Sequence, residues 1–445
     1  MFRLALRTVR ARVPAYLASG CVIAAGTALL SAFATLFATS VTADAPDDRT
    51  LRTMAVVLGG WTSVLVIFAV ATTVGLTVQH RERELALLRA IGGTPGQVRR
   101  GVVCEAVAVA VPTMVLGGLA GIGLGSFVWH WLVDGGVISK SSKLDVDWRM
   151  VAVAVAVTLL ATCAGAWFAG RRAAAIAPMR ALAETREAPG GRALNGLRLI
   201  GGLAATSAGV GMAVTTLYMP NGMYLSATAG PACVWAAIGL SLLSPAFIAP
   251  LAAVLRALPV AGARLAGRNL AARPRAVAAV VAPLSLLVGI TCGTLYMQGT
   301  ENSVIAKIPG STDGLETIKE VNYIVVTMII AFCAISVLNT LIASTRRRRQ
   351  EFGLLRLVGA QRRQLLIMVF AEAVACVLLS VLLGTLAAAA TVVPYSLVRI
   401  DSALPKGSAG IYPAVLGGAV LLSLVAALPT ALRNLTERPV AAVAA

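Results

Sequence analysis

The stretch HRERELALLRAIGGTPGQVRR, His80 to Arg100, is basic and helix-forming, yet it lies between two long apolar runs. A second stretch, RRRRQEFGLLRLVGAQRRQLL, Arg346 to Leu366, repeats its pattern. A shift of 267 aligns the two without a gap: Glu84 with Glu351, Leu87 with Leu354, Leu88 with Leu355, Arg89 with Arg356, Gly92 with Gly359, Gln97 with Gln364. The match continues into the next apolar run through Glu105/Glu372, Ala106/Ala373, Val107/Val374 and Gly117/Gly384. The flanks align at a shift of 261, pairing Arg3–Arg12 with Arg264–Arg273, Arg172 with Arg433 and Pro178 with Pro439. The six-residue change and its reversal fall where connecting loops lie, and loops absorb insertions.

The repeat is written in an oily alphabet. Of 445 residues, 58% are hydrophobic and 13% charged, about half the charged share of a soluble domain. Runs of 20 or more apolar residues recur, each long enough to cross a hydrocarbon core of about 30 Å. Hydropathy predicts ten spans, at roughly 14–40, 54–78, 99–131, 149–170, 197–217, 227–255, 276–298, 321–345, 364–397 and 410–432. With the N-terminus cytoplasmic, 29 of the 38 Lys+Arg fall on the inside, against 8 of the 19 Asp+Glu. That asymmetry predicts cytoplasmic N- and C-termini by the positive-inside rule. It accounts for the net charge of +19 as topology, without a nucleic-acid surface. Six of seven tyrosines (Tyr218, Tyr224, Tyr296, Tyr323, Tyr395, Tyr412) and Trp129, Trp131 and Trp148 fall near the expected outer interface, as an aromatic belt does.

The expected fold is an all-α polytopic membrane protein. Residues 1–182 and 262–445 form two four-helix repeats, and residues 183–261 form a two-helix connector. Four spans, like the two of the connector, return the chain to its starting side, so the repeats run parallel, about an axis along the membrane normal. The first apolar run has a counterpart at 276–298 deep inside the chain, and so reads as a span rather than a signal peptide. The seven cysteines stand singly, with no CxxC pair to indicate zinc or a disulfide framework.

Within the opening stretch, Leu85, Leu88 and Ile91 lie on or near one helical face, with Glu84 and Arg89 beside them. Gly92–Gly93 stops that short helix, and Thr94, Pro95 and Gln97 supply N-cap, N1 and N3 for a new one. The second copy keeps Gly359 but has Gln361 and Arg362 where Thr94 and Pro95 stand, a less well specified restart. The picture is a helix leaving the membrane, an amphipathic foot turning at glycine, and a long helix re-entering. A lone foot reads as an anchor in anionic headgroups. Two feet with the same Glu-x-x-Leu-Leu-Arg-x-x-Gly order read instead as two equivalent docking sites.

This pattern, with a glutamate early in the next helix, resembles the FtsX-like (MacB-like) permeases of ABC transporters, and the ten-span layout is similar to the bacitracin-exporter type. The resemblance covers nearly the whole chain outside the connector. It implies that each foot is a coupling helix seated on a separate ATPase subunit, two copies per chain, with Glu84, Leu87, Leu88, Arg89 and Gly92, and Glu351, Leu354, Leu355, Arg356 and Gly359, as the contact set. ATP and Mg would be bound by that partner. It further implies a bacterial plasma membrane and export or extraction of a hydrophobic or amphipathic substrate, such as an antimicrobial peptide, a lipid or a drug. The alternative is a membrane scaffold that couples an ATPase to another protein. The chain departs from the family in its loops: those after the first and seventh spans are about 13 and 22 residues, where such permeases usually carry a large outer domain.

The remaining residues exclude other chemistries. None of the five lysines stands in a GxxxxGK[ST] phosphate loop, so this chain is expected to be no enzyme itself. Glu105 and Glu372, the only carboxylates inside the spans, sit near helix N-termini, the first close to Arg99–Arg100, and read as dipole-favoured rather than as a proton relay. Gly117, Gly121 and Gly125 make two GxxxG steps, a seam for close helix packing. In the second copy Gly384 and Ala388 keep the first step, while Val392 replaces the third small residue. His80 and His130 read as interfacial, and no nucleophile–base constellation is visible.

Overall fold

A computed structural model of the chain describes residues 13–44, 47–79, 81–175, 196–222, 225–307, 313–346, 355–357 and 359–436. Among these the protein is helical. The first five described helices are α1 (Val13–Thr42), α2 (Asp47–Gln79), the short α3 (Glu82–Ala90), α4 (Pro95–Asp134) and α5 (Trp148–Ala175). Next come α6 (Gly196–Tyr218) and α7 (Leu225–Ala257). Then follow α8 (Ala261–Ala272), α9 (Pro274–Ile305), α10 (Asp313–Arg346), α11 (Arg362–Ile400) and α12 (Ile411–Thr436). Among the described residues nine helices are long and apolar enough to cross a membrane, at the first nine expected positions. The tenth position carries α12, a helix of 26 residues. The fold is that of an all-helical, multi-pass membrane protein. At 40 residues α4 is about 60 Å long, twice the hydrocarbon thickness.

The chain divides into two compact units. One comprises residues 1–185 and 298–335, the other residues 186–297 and 336–445. In the first unit α1 is the central element, packed by α2, α4 and α5. Its core residues Ile23, Leu29, Phe33 and Leu36 are almost wholly buried. Thr27, Thr35 and Thr39, equally buried, donate to the carbonyls of Ile23, Ser31 and Thr35 at 2.8, 2.9 and 3.0 Å, which keeps their hydroxyls paired inside the helix. At the end of the unit remote from α3, the buried Asp47 carboxylate accepts from the Ser139 amide at 2.9 Å and its hydroxyl at 2.7 Å, tying the start of α2 to the loop after α4.

In the second unit α7 packs against α6, α8 and α11. Ile248, Leu270, Val281, Leu379 and Leu383 form its apolar core. Polar contacts add specificity where the lipid offers no hydrophobic drive: the Ser241 and Ser285 hydroxyls meet at 2.8 Å. Thr391 of α11 inserts its hydroxyl into the backbone ladder of α7 beside Pro231, accepting from the Cys233 amide at 3.0 Å and donating to the Ala229 carbonyl. An inserted side chain of this kind opens a helix without stranding its polar groups.

Candidate functional site

The first foot, α3, has an inner and an outer face. Leu85 and Ala86 are buried, whereas Leu87 and Leu88 are each 48% exposed and Ile91 82%. At about 100° per residue, Glu84, Leu87, Leu88 and Ile91 share the outer face, and Leu85, Ala86 and Arg89 the inner one. Periodicity alone groups Leu85 with Leu88 and Ile91. The structure turns Leu85 inward, because a helix of nine residues takes its orientation from what it packs on.

Arg89 lies on the inner side and donates to the Ala174 carbonyl in the last turn of α5, where a cation meets the unpaired carbonyls of a helix end. Glu84 is half-exposed and accepts from the Arg81 Nε at 3.1 Å. Gly92 ends the foot with φ at +103°, its amide bonded to the Arg89 carbonyl at 3.1 Å and that of Gly93 to the Leu88 carbonyl at 3.0 Å. This is a Schellman stop. The second foot repeats it: Gly359 has φ +97°, with Gly359 N–H to Arg356 O at 3.1 Å and Ala360 N–H to Leu355 O at 3.0 Å. Glu351 and Leu354 lie outside the described residues. Leu355 packs against Ala266, Leu365, Met368 and Val369, so at this position the second foot is more inward-facing than the first.

Gly92→Ala places a side chain where an L-residue is disfavoured by about 1–2 kcal/mol. Amide exchange over Leu88–Gly93 should speed up roughly tenfold in that variant. Unchanged exchange would show that the turn does not depend on glycine.

After the stop the chain restarts through a complete capping box. The Gln97 amide donates to Thr94 Oγ1 at 3.3 Å and the Thr94 amide to Gln97 Oε1 at 2.9 Å, with Pro95 at N1. In the second copy Gln361 is the N-cap, and its amide donates to Gln364 Oε1 at 3.1 Å.

Glu105 does not pair with Arg99 or Arg100, its neighbours in sequence. It accepts from Arg81 and, at 3.2 Å, from the Tyr16 hydroxyl of α1. Burial opposes the Arg81 charge, but Glu105, Tyr16 and Glu84 together more than offset it and hold the guanidinium above its ordinary value. Arg99 instead stacks its guanidinium 3.8 Å from the centre of the Trp167 ring of α5. The aligned Glu372 is buried and accepts from Asn269 of α8 at 2.8 Å.

Above this cluster runs the glycine seam. A Cβ at Gly117, Gly121 or Gly125 would stand 2.4, 2.4 or 2.9 Å from the carbonyls of Ala24, Ala28 and Ala32 on α1. Backbone lies against backbone over two helical turns. In the second unit a Cβ at Gly384 would meet Val288 at 2.8 Å and the Ser285 carbonyl at 2.9 Å.

Compared with known families, residues 56–178 and 323–437 each match the FtsX-like permease C-terminal family, together more than half of the chain. The chain belongs to the FtsX-like permease family. The double match agrees with two FtsX-like repeats. Comparison with curated proteins gave no match. Permeases of this family are membrane subunits of ABC transporter systems and generally pair with ABC ATPase subunits.

Proposed function

We propose that this permease works with two copies of a separate ABC ATPase, one at each foot, and exports or extracts a hydrophobic or amphipathic substrate: an antimicrobial peptide, a lipid or a drug. The observation that carries the docking is the outer face of α3, where Glu84, Leu87, Leu88 and Ile91 are presented by a helix held from behind. Exposed leucines ringed by polar residues suit a partner groove better than water. ATP and Mg bind the partner, and the feet face the cytoplasm of a bacterial cell, with both termini on that side. The substrate class is the one the family resemblance implies, and the short outer loops suit cargo taken from the bilayer.

Gentle purification of the tagged permease from its native membrane should bring down one ATPase at two copies per chain. A permease recovered with no ATPase, under conditions that preserve such assemblies, would return the feet to the lipid headgroups.

A further inference from the structure

We infer that Arg81, with Glu105 and Tyr16, is the joint through which movement of the first foot reaches α1 and α4, a role distinct from docking though it rests on the docking reading. Arg81 stands immediately before α3, and its guanidinium reaches three elements. Nε donates to Glu84 in the foot at 3.1 Å. Nη1 donates to Glu105 in α4 and, at 2.6 Å, to the Tyr16 hydroxyl in α1. Tyr16 in turn donates to Glu105, closing the ring.

The cluster borders a small cavity walled by Ile23, Val78, Leu85 and Val102. The Arg81 and Glu105 side chains are only 17% and 16% exposed. Charges so shielded hold each other firmly, because either one left alone would be stranded in a poorly hydrated site.

The opposite end of the foot is fixed as well, through Arg89 to the Ala174 carbonyl of α5. With both ends tied and Leu85 and Ala86 buried beneath, a force on the outer face has no slack to take up before α1, α4 and α5 respond. The helices it reaches first are α1 and α4, the pair joined by the glycine seam. Arg81 is thus a positioning residue for coupling, while the outer leucines carry docking.

The test separates coupling from docking and from stability. Arg81→Met with Glu105→Leu replaces the buried pair by apolar groups of similar size, a change that commonly leaves stability intact or raises it. The ATPase that co-purifies with the wild-type permease should bind this variant at the same ratio. ATP turnover of the reconstituted complex in proteoliposomes should fall about tenfold, within the range of coupling between linked sites. Tyr16→Phe, which removes one hydroxyl, should lower turnover less but in the same direction, and decides the matter alone if the double variant aggregates. Wild-type turnover in a folded variant overturns the joint. Loss of the ATPase from the variant assigns the cluster to docking and overturns it too. Absence of any ATPase from the wild-type permease overturns the docking reading itself, and the joint with it.

Discussion

A permease carrying Leu88→Arg together with Leu355→Arg is expected to insert normally in the membrane and to lose its ATPase. Leu88 is 48% exposed on the outer face of α3, so an arginine there can keep its head in water while the permease is alone. Docking would bury that charge in an apolar groove with no partner. A central apolar anchor contributes about 2 kcal/mol or more to an interface, so each disabled foot lowers the affinity for its own ATPase by about thirtyfold or more. Leu88→Arg alone should drop the ATPase-to-permease ratio from two towards one. Leu355 is partly buried against Leu365 and Met368, so in a second double variant Leu357→Arg, at a position 54% exposed on the same foot, replaces its change and tests docking without touching that core. The readout is the amount of ATPase retained on the tagged permease, with its size-exclusion profile as the check on folding. Full retention in the double variant would remove the docking assignment.

What the sequence disclosed and what it hid divide along physical lines. The stop at Gly92 and the restart at Thr94 are local events, each settled by residues within one helical turn, and both were legible. The repeat was legible because the feet align without a gap. Which face of α3 points outward was not: three leucines and two alanines in nine residues fit more than one orientation, and only the burial of Leu85 and Ala86 selects among them. The partner of Glu105 was hidden for a different reason. Arg99 is near in sequence, but six residues along a helix is about 240° around it, and Arg99 faces Trp167. The true partners are long-range, Tyr16 lying 89 residues from Glu105 and 65 from Arg81. One signal was present: Tyr16 is the only tyrosine of seven away from the expected outer belt. The GxxxG steps were visible, whereas the helix they press against was not, since Ala24, Ala28 and Ala32 are unremarkable in an alanine-rich span.

The largest effect on stability is expected at that seam. Gly121→Val should leave little folded permease, because the first carbon of any side chain already stands 2.4 Å from the Ala28 carbonyl and 2.5 Å from Ser31 Cβ. Both are held by the body of α1, so the helices must separate along their contact. Overpacking a yielding core costs about 1–3 kcal/mol, and a backbone that cannot yield should cost at least the upper figure. Gly123→Ala is the control on the same helix. Nothing lies within 4 Å of its Cβ position, and it should be neutral or slightly stabilising through helix propensity. The second repeat shows how the seam tolerates change. There Ala388 and Val392 stand where Gly121 and Gly125 do, but the facing helix α9 has Gly289 and Gly293 where α1 has Ala28 and Ala32. Bulk gained on one helix is given up on the other, since what the packing fixes is the combined size at each crossing. Gly121→Ala should therefore lower the thermal midpoint of the purified permease, and adding Ser31→Gly, which removes the Cβ 2.5 Å away, should recover part of that loss. Additive damage from the two changes would mean that positions 121 and 31 do not share one crossing.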